Sequence, residues 1–578
     1  MIPPSDLSPP RRGRLWLAVA AGMSLALVWT LNATANEEGG PAPDAADPPD
    51  ISISGTLSAS LSFYDASGRP DAREPFSWTL RGAPILHVHG VNVPLTVILT
   101  EQDRDFRQPL NRLGAHPRLG WATGHLGYSS LAWSPYSLAG QSILGVGVEG
   151  APGKLRFGAI AGRLRRAVEP DSVAGIGRVA PVYQRTGFAL RLGGGTEERH
   201  AQVVVMRGGD DETSLSIAPS PATAVPEENL VVSAVGHYEI TPRLSIDCEL
   251  AQSAYTQDKL ADPDGGYDKV LLKAFGFLMD RRTSTRETQA LEAKLGWRED
   301  WGGVGVVYKR IDPGYRSMGA YYFNGDLESV TFEPTLKLAA NRLRLAGSLG
   351  FQHDNLGDGK EVETTRTIGS GRIDWSPSSV YLANLSYSNY GIDQKAGHSP
   401  LDSTRVKIAQ STSNLGITQS LTLVGERAGH NAVLVWSRQD MEDRTENGSL
   451  DVSYLAHQLN AVYTFTWMPW GLSVNGGFNR STYEVATGDT EVSGPQVGAN
   501  LSFWRNRATV GAGASLSSTS VDGDPTLDTT TLQIQGAVRP ERRHRITMRL
   551  AVNRNDAKTP AGTDQTETRG EIGYAYSF

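Results

Sequence analysis

The chain ends Arg569-Gly-Glu-Ile-Gly-Tyr-Ala-Tyr-Ser-Phe578. Ile572, Tyr574, Tyr576 and Phe578 recur at every second position, with Glu571, Gly573, Ala575 and Ser577 between them. Successive side chains of a strand point to opposite sides, so this is a strand with one apolar face and one small or polar face. Such a strand suits the wall of a transmembrane barrel, which alternates apolar outward and polar inward.

Upstream the alternation repeats. Leu459, Ala461, Tyr463, Phe465 and Trp467 interleave with Asn460, Val462, Thr464 and Thr466. Past a turn at Met468-Pro469, Trp470, Leu472, Val474 and Phe478 interleave with Gly471, Ser473, Asn475 and Asn479. Two further strand pairs flank tight turns at 505–507 and 540–543, while the polar stretches 482–494, 522–528 and 555–567 read as long loops. The rhythm of strand, short turn, strand, long loop is that of an outer-membrane barrel, whose short turns are periplasmic. Carried backwards, it predicts short turns near 376–379, 339–342, 298–300, 241–243, 194–198, 150–153 and 91–92. The expected fold is all-β, a transmembrane antiparallel β-barrel of about 24 strands (range 22–26) with one inward-folded segment. Stretches 107–140 and 258–286 lack clean alternation; within the second, 270–279 reads as a short helix or an added hairpin, and a hairpin in either stretch would raise the number to about 26. Pro334 falls inside a strand and is expected at a bulge or at a position that donates no ladder bond. Trp297, Trp301, Trp375, Trp467, Trp470 and Trp504 sit beside short turns, where an interfacial aromatic girdle would lie. A β-sandwich is the alternative architecture, but no internal linker separates repeated cores.

The terminal strand resembles the C-terminal signal of Gram-negative outer-membrane β-barrels of the porin-like superfamily. In that group a final strand ending in Phe is read by the barrel-assembly machinery. The resemblance implies residence in the cell outer membrane, contact with its lipid and lipopolysaccharide, and recognition of Tyr574, Tyr576 and Phe578 by that machinery. It assigns no subfamily.

Three domains are expected. Arg11, Arg12 and Arg14 precede an apolar run, and Ala33-Thr34-Ala35 fits a cleavage site, so 1–35 reads as a signal peptide. The acidic, Pro-rich stretch 36–50 reads as a disordered periplasmic lead-in, and 51–578 as the barrel. Beyond the signal no apolar run approaches the ~20 residues of a membrane helix, which barrel strands do not need. The net charge of −7 argues against a nucleic-acid binder, and the single cysteine, Cys248, excludes an internal disulfide.

The sequence carries no zincin, nucleophile-elbow, phosphate-loop or dinucleotide motif, so no enzyme, cofactor or metal site is expected. Asp262-Pro-Asp-Gly-Gly-Tyr-Asp268 resembles part of a calcium loop but reads better as turn chemistry. The functional candidate is 107–140. It is irregular, follows a clear strand and carries Arg107, Arg112, His116 and Arg118, whereas the other long loops are largely acidic. Folded inward, it would narrow a lumen too wide for wall side chains to fill, as a basic constriction. Arg163, Arg165 and Arg166 would line the lumen or meet lipopolysaccharide phosphates. The expected function is a pore for a small polar solute. The alternative is a non-transporting barrel that scaffolds surface or periplasmic proteins. The sequence names neither solute nor protein partner.

Overall fold

A computed structural model describes residues 51–578, apart from 102–109, 170–179, 218, 222, 265–269, 321–323, 358, 361, 397–408, 444, 446–451 and 561. The expected signal peptide and lead-in lie outside the described residues, as do Arg107 and part of 262–268. Every strand joins one antiparallel sheet that closes on itself, forming a barrel of 26 staves. The seam pairs Thr56–Ser67 with Gln565–Ser577, from Thr56 opposite Ser577 to Ser67 opposite Thr566. Closure leaves no edge whose backbone groups would meet lipid unpaired.

The number is 26, within the expected range of 22–26 and at its top. The added pair lies in 107–140. There Arg112–Ala115 and Arg118–Leu119 form one interrupted stave against Ala122–Ser130. Pro117 interrupts the first of these staves, and Gly114 and Gly127 face each other where larger alternating side chains would have given the pattern away. Much of 107–140 is therefore wall, and only its last third folds inward.

The described part of 258–286 adds no stave. It holds a short helix, Val270–Phe275, and Leu271, Leu272 and Met279 of this loop pack on Leu230 and Ala254. Those two share the outward parity of exposed Val203 and Leu250, so the loop covers the outside of the wall at its long-loop rim.

The loops expected at 482–494 and 522–528 are also corrected. Leu472–Val485 and Gly488–Phe503 meet at a two-residue turn, as do Ala508–Val521 and Asp524–Val538. Above the bilayer neither face of a strand needs to be apolar, so the ladder continues through Ser, Thr, Asp and Glu without alternation. Four staves reach 16 residues, while Ala122–Ser130 and Ser142–Gly150 have 9, about what a bilayer requires. One side of the wall therefore stands higher than the other.

Pro334 is accommodated as expected. It pairs with Val304 on one side, and the ladder toward Leu343–His353 passes from Phe332–Leu349 to Thr335–Ala346 without it. Pro495 repeats the device, opposite Phe478 on one side and skipped on the other.

Candidate functional site

The register assigns each side chain to lipid or lumen. Leu190 and Leu192 are exposed on the outside, and Ala189 and Arg191 alternate with them on the inside. Buried residues concentrate on one half of the lumen. Ile143, Ile160, Ala189, Val204 and Met206 face inward from neighbouring staves and are covered by Leu131, Trp133 and Leu138 of the loop 131–141. This loop folds into the barrel because its apolar side chains find a dry wall there. Burying each such side chain stabilises the arrangement by about 1.5–3 kcal/mol.

Trp133 is seated most tightly. Its indole N–H donates to Glu149 at 2.9 Å, and the Arg191 guanidinium lies 5.0 Å from its ring centre. Arg191 also pairs with Glu149 at 3.2 Å. Gly158 supplies the floor, since a Cβ there would stand 2.6 Å from the indole.

Further along the loop, Ser134 donates its hydroxyl to Glu249, which also accepts the Tyr136 backbone N–H at 3.2 Å. The Tyr136 hydroxyl donates to Glu292 at 2.7 Å, and Lys309 pairs with Glu292 at 3.0 Å. Burial and the Glu292 carboxylate raise the pKa of the Tyr136 phenol above its ordinary range, so it remains a donor at every physiological pH.

A second loop, described at 312–320 and 324–326, enters from the same rim and braces the first. The Tyr315 hydroxyl donates to the Tyr136 carbonyl at 3.0 Å, and the Ser317 hydroxyl to the Ser137 carbonyl at 2.8 Å. Ala139 N–H donates to the Gly319 carbonyl at 2.9 Å. The second loop is tied to the wall by Asn229, whose Oδ1 accepts the Met318 N–H at 3.0 Å, and by Ser253, which donates to the Arg316 carbonyl at 2.6 Å. Sequence reading missed this loop entirely. Its Tyr315 and Met318 are isolated apolar residues in a stretch with no periodicity.

The expected site residues are distributed as follows. Arg112 stands opposite Ile98 and Arg118 opposite Asn92, both on lumen-facing positions of a stave, while Leu113 between them is exposed on the lipid side. His116 lies on the same lumen side, with Nδ1 3.2 Å from Nδ1 of His125, which approaches Glu149 at 3.3 Å. Thus Arg112, His116 and Arg118 belong to the wall and not to the infolded loop. Arg163 pairs with Leu144 on the lipid parity. A bulge turns Arg165 inward, where it meets Asp210 at 3.0 Å beside Arg185 at 2.7 Å. Arg166 follows in the loop.

The six tryptophans lie at the short-turn rim. Trp301, Trp375, Trp470 and Trp504 are exposed, Trp297 meets Trp301 with ring centres 5.6 Å apart, and Trp467 stacks on Phe465. Both ends of the barrel chain reach this rim, where Phe578 meets Tyr576 edge to face at 4.9 Å.

A closed antiparallel barrel with an apolar exterior, an aromatic belt and a polar interior is a transmembrane β-barrel, and this chain is an outer-membrane β-barrel of the cell outer membrane. No family model and no curated protein matches it. Among solved structures it is similar to OccK9 (OpdG) of Pseudomonas aeruginosa, with 11% identity and a TM-score of 0.28 over 65% of this chain and 97% of that one. Another is OccAB3 of Acinetobacter baumannii, with 11% identity and a TM-score of 0.28 over 66% and 100%. A third is the FrpB iron transporter of Neisseria meningitidis (F5-1 variant), with 10% identity and a TM-score of 0.34 over 91% and 82%. At such scores these likenesses carry no weight for function, which has to come from the lumen itself.

Proposed function

We propose that the protein is a channel for polar solutes, narrowed from one side by the loops 131–141 and 312–326. One contrast carries this reading. On the loop-covered half, lumen-side Ala189, Val204, Val231 and Ala251 are fully buried. On the other half, lumen-side Asn500, Gln533, Gln535 and Arg549 are exposed to solvent. A lumen filled on one side and wet on the other is a pathway with a constriction, and pore selectivity rests on the groups lining such a pathway. Arg112 and Arg118 add positive charge along one stave of it, with His116 between them.

Single-channel recording in planar bilayers tests this. A steady ohmic conductance is expected from the purified protein. A barrel that inserts, shows heat-modifiable migration and carries no current would favour the scaffold reading, especially if a protein partner co-purified.

A further inference from the structure

The lumen is divided by charge as well as by burial. Eight consecutive staves, from Tyr381–Ala396 to Asp524–Val538, put Leu385, Ile417, Leu459, Val474, Val497, Val510 and Leu532 on the lipid side. Their alternate positions face the lumen. Across all eight, the described lumen-side positions carry no Asp, Glu, Lys, Arg or His except Asp443 and Asp524, each at the extreme outer end of its stave. Amide, hydroxyl and glycine predominate there, interspersed with aliphatic side chains such as Val433, Val435 and Val462. On the rest of the wall charged side chains do face the lumen, and several of them are paired, as in Arg191–Glu149, Lys309–Glu292 and Lys294–Glu333.

The amides are laid in order. Asn475 covers Gly498, where a Cβ would come within 2.7 Å of its Oδ1, and Asn500 covers Gly511, where the distance would be 2.1 Å. Gln535 donates to Asn500 at 3.3 Å. Together with Gln496 and Gln533 they border a recess of about 240 Å³. Nearer the outer rim, Tyr390 and Tyr483 face the lumen and are 42% and 49% exposed. An amphipathic ring offers a flat apolar face beside a hydroxyl.

Resting on the pore reading, we propose that this arc of eight staves is a track for uncharged polyhydroxylated solutes of the size of a short sugar chain. An amide offers a donor and an acceptor without charge, and a sugar hydroxyl offers the same pair, so each can replace the other's water. An ionised solute entering the track would shed hydration and meet no counter-charge, which opposes its passage. The glycines under Asn475 and Asn500 let the amides lie flat, leaving the track smooth enough for a chain to slide.

The test uses the full-length protein in planar bilayers, with neutral maltohexaose and anionic hexagalacturonate as probes. Maltohexaose is expected to interrupt the ionic current in resolved blocking events, with an apparent affinity at least tenfold above that of hexagalacturonate. The double substitution N500L/Q535L, checked for heat-modifiable migration, is expected to weaken the maltohexaose block at least tenfold. Should the ion current persist while hexagalacturonate blocks as well or better, the track proposal is overturned and the pore reading stands. Unaltered block in folded N500L/Q535L overturns it too. Absence of any ion current overturns the pore reading and the track with it. Because the wild-type probe comparison stands alone, a variant that fails to assemble does not protect the proposal.

Discussion

Tyr315 reaches across from one infolded loop and donates its hydroxyl to the backbone carbonyl of Tyr136 on the other, at 3.0 Å. The two rings meet edge to face, with centres 6.3 Å apart. Both residues are buried, so neither water nor lipid competes for the carbonyl. With the Ser317–Ser137 and Ala139–Gly319 bonds, this contact ties the two loops into one unit.

Removing this hydroxyl should loosen the constriction. In Tyr315→Phe the Tyr136 carbonyl loses its partner inside a dry cluster, which costs about 1–3 kcal/mol. Each 1.4 kcal/mol is about tenfold in population, so displaced-loop states become roughly an order of magnitude more frequent. Single-channel traces should show larger and noisier openings. A Tyr315→Phe channel with wild-type open-state noise would mean the loops are held elsewhere.

The Trp133 seat can be tested from below. Gly158→Ala puts a methyl where the indole lies, 2.6 Å away, and the rigid ring cannot give. Overpacking of this kind costs about 1–3 kcal/mol. The indole should leave its bond to Glu149, with a fall in thermal stability and a rise in conductance. Adding Trp133→Leu should relieve both effects, because the clash needs both partners. Additive losses in the double variant would contradict the proposed contact.

Acid should open the second loop. Asp326, at the end of 312–326, is mostly buried, which alone would raise its pKa. The Lys360 ammonium and the backbone N–H groups of Leu356 and Asn355 outweigh that and lower it below the ordinary carboxylate value. Lys360 also pairs with Asp354 at 3.1 Å, which ties the loop to its neighbour 354–361. A depressed carboxylate pKa contributes stability that is full above the unfolded value and is lost as pH falls through the folded one. Conductance should therefore stay level from neutral pH to about pH 4 and rise below it. Asp326→Asn should show the raised conductance at neutral pH already. A wild-type profile flat through acid would refute the link.

How far the sequence reveals all this depends on where lipid imposes a pattern. Ile546, Met548 and Leu550 alternate because hydrocarbon lies on one side of them, and so the C-terminal staves can be read directly. The strand extensions around Asp489 and Asp522 stand in water on both faces, and there the period disappears. Even so, Asp522-Gly523, with both residues at positive φ, is a hairpin signal that periodicity alone passes over. The hairpin at 112–130 hid behind Pro117 and its glycines. Loop 131–141 was legible only as aromatic and small, since nothing local tells Trp133 that Gly158 and Glu149 await it. The uncharged arc of the lumen was present in the alternation all along. Reading it requires attention to the polar face of each strand, which a search for apolar faces ignores.

The basic stave gives the last prediction, which also tests the corrected placement of 112–119. Arg112 and Arg118 occupy lumen-side positions, separated by outward-facing Leu113 and Ala115. Fixed positive charge beside the pathway favours anions, and salt screens it, with a Debye length of about 10 Å at 0.1 M and about 3 Å at 1 M. Replacing both arginines by alanine should shift the reversal potential toward cations in dilute salt, with the difference vanishing near 1 M. The topology can be checked in a Cys248→Ala background, since Cys248 is exposed on the outward parity of its own stave. A cysteine at Leu113 should then resist a membrane-impermeant thiol reagent, because lipid covers it, while one at Arg118 should react. Ready labelling at Leu113 would mean that this stretch leaves the wall, and the assignment of its arginines to the lumen would fall with it.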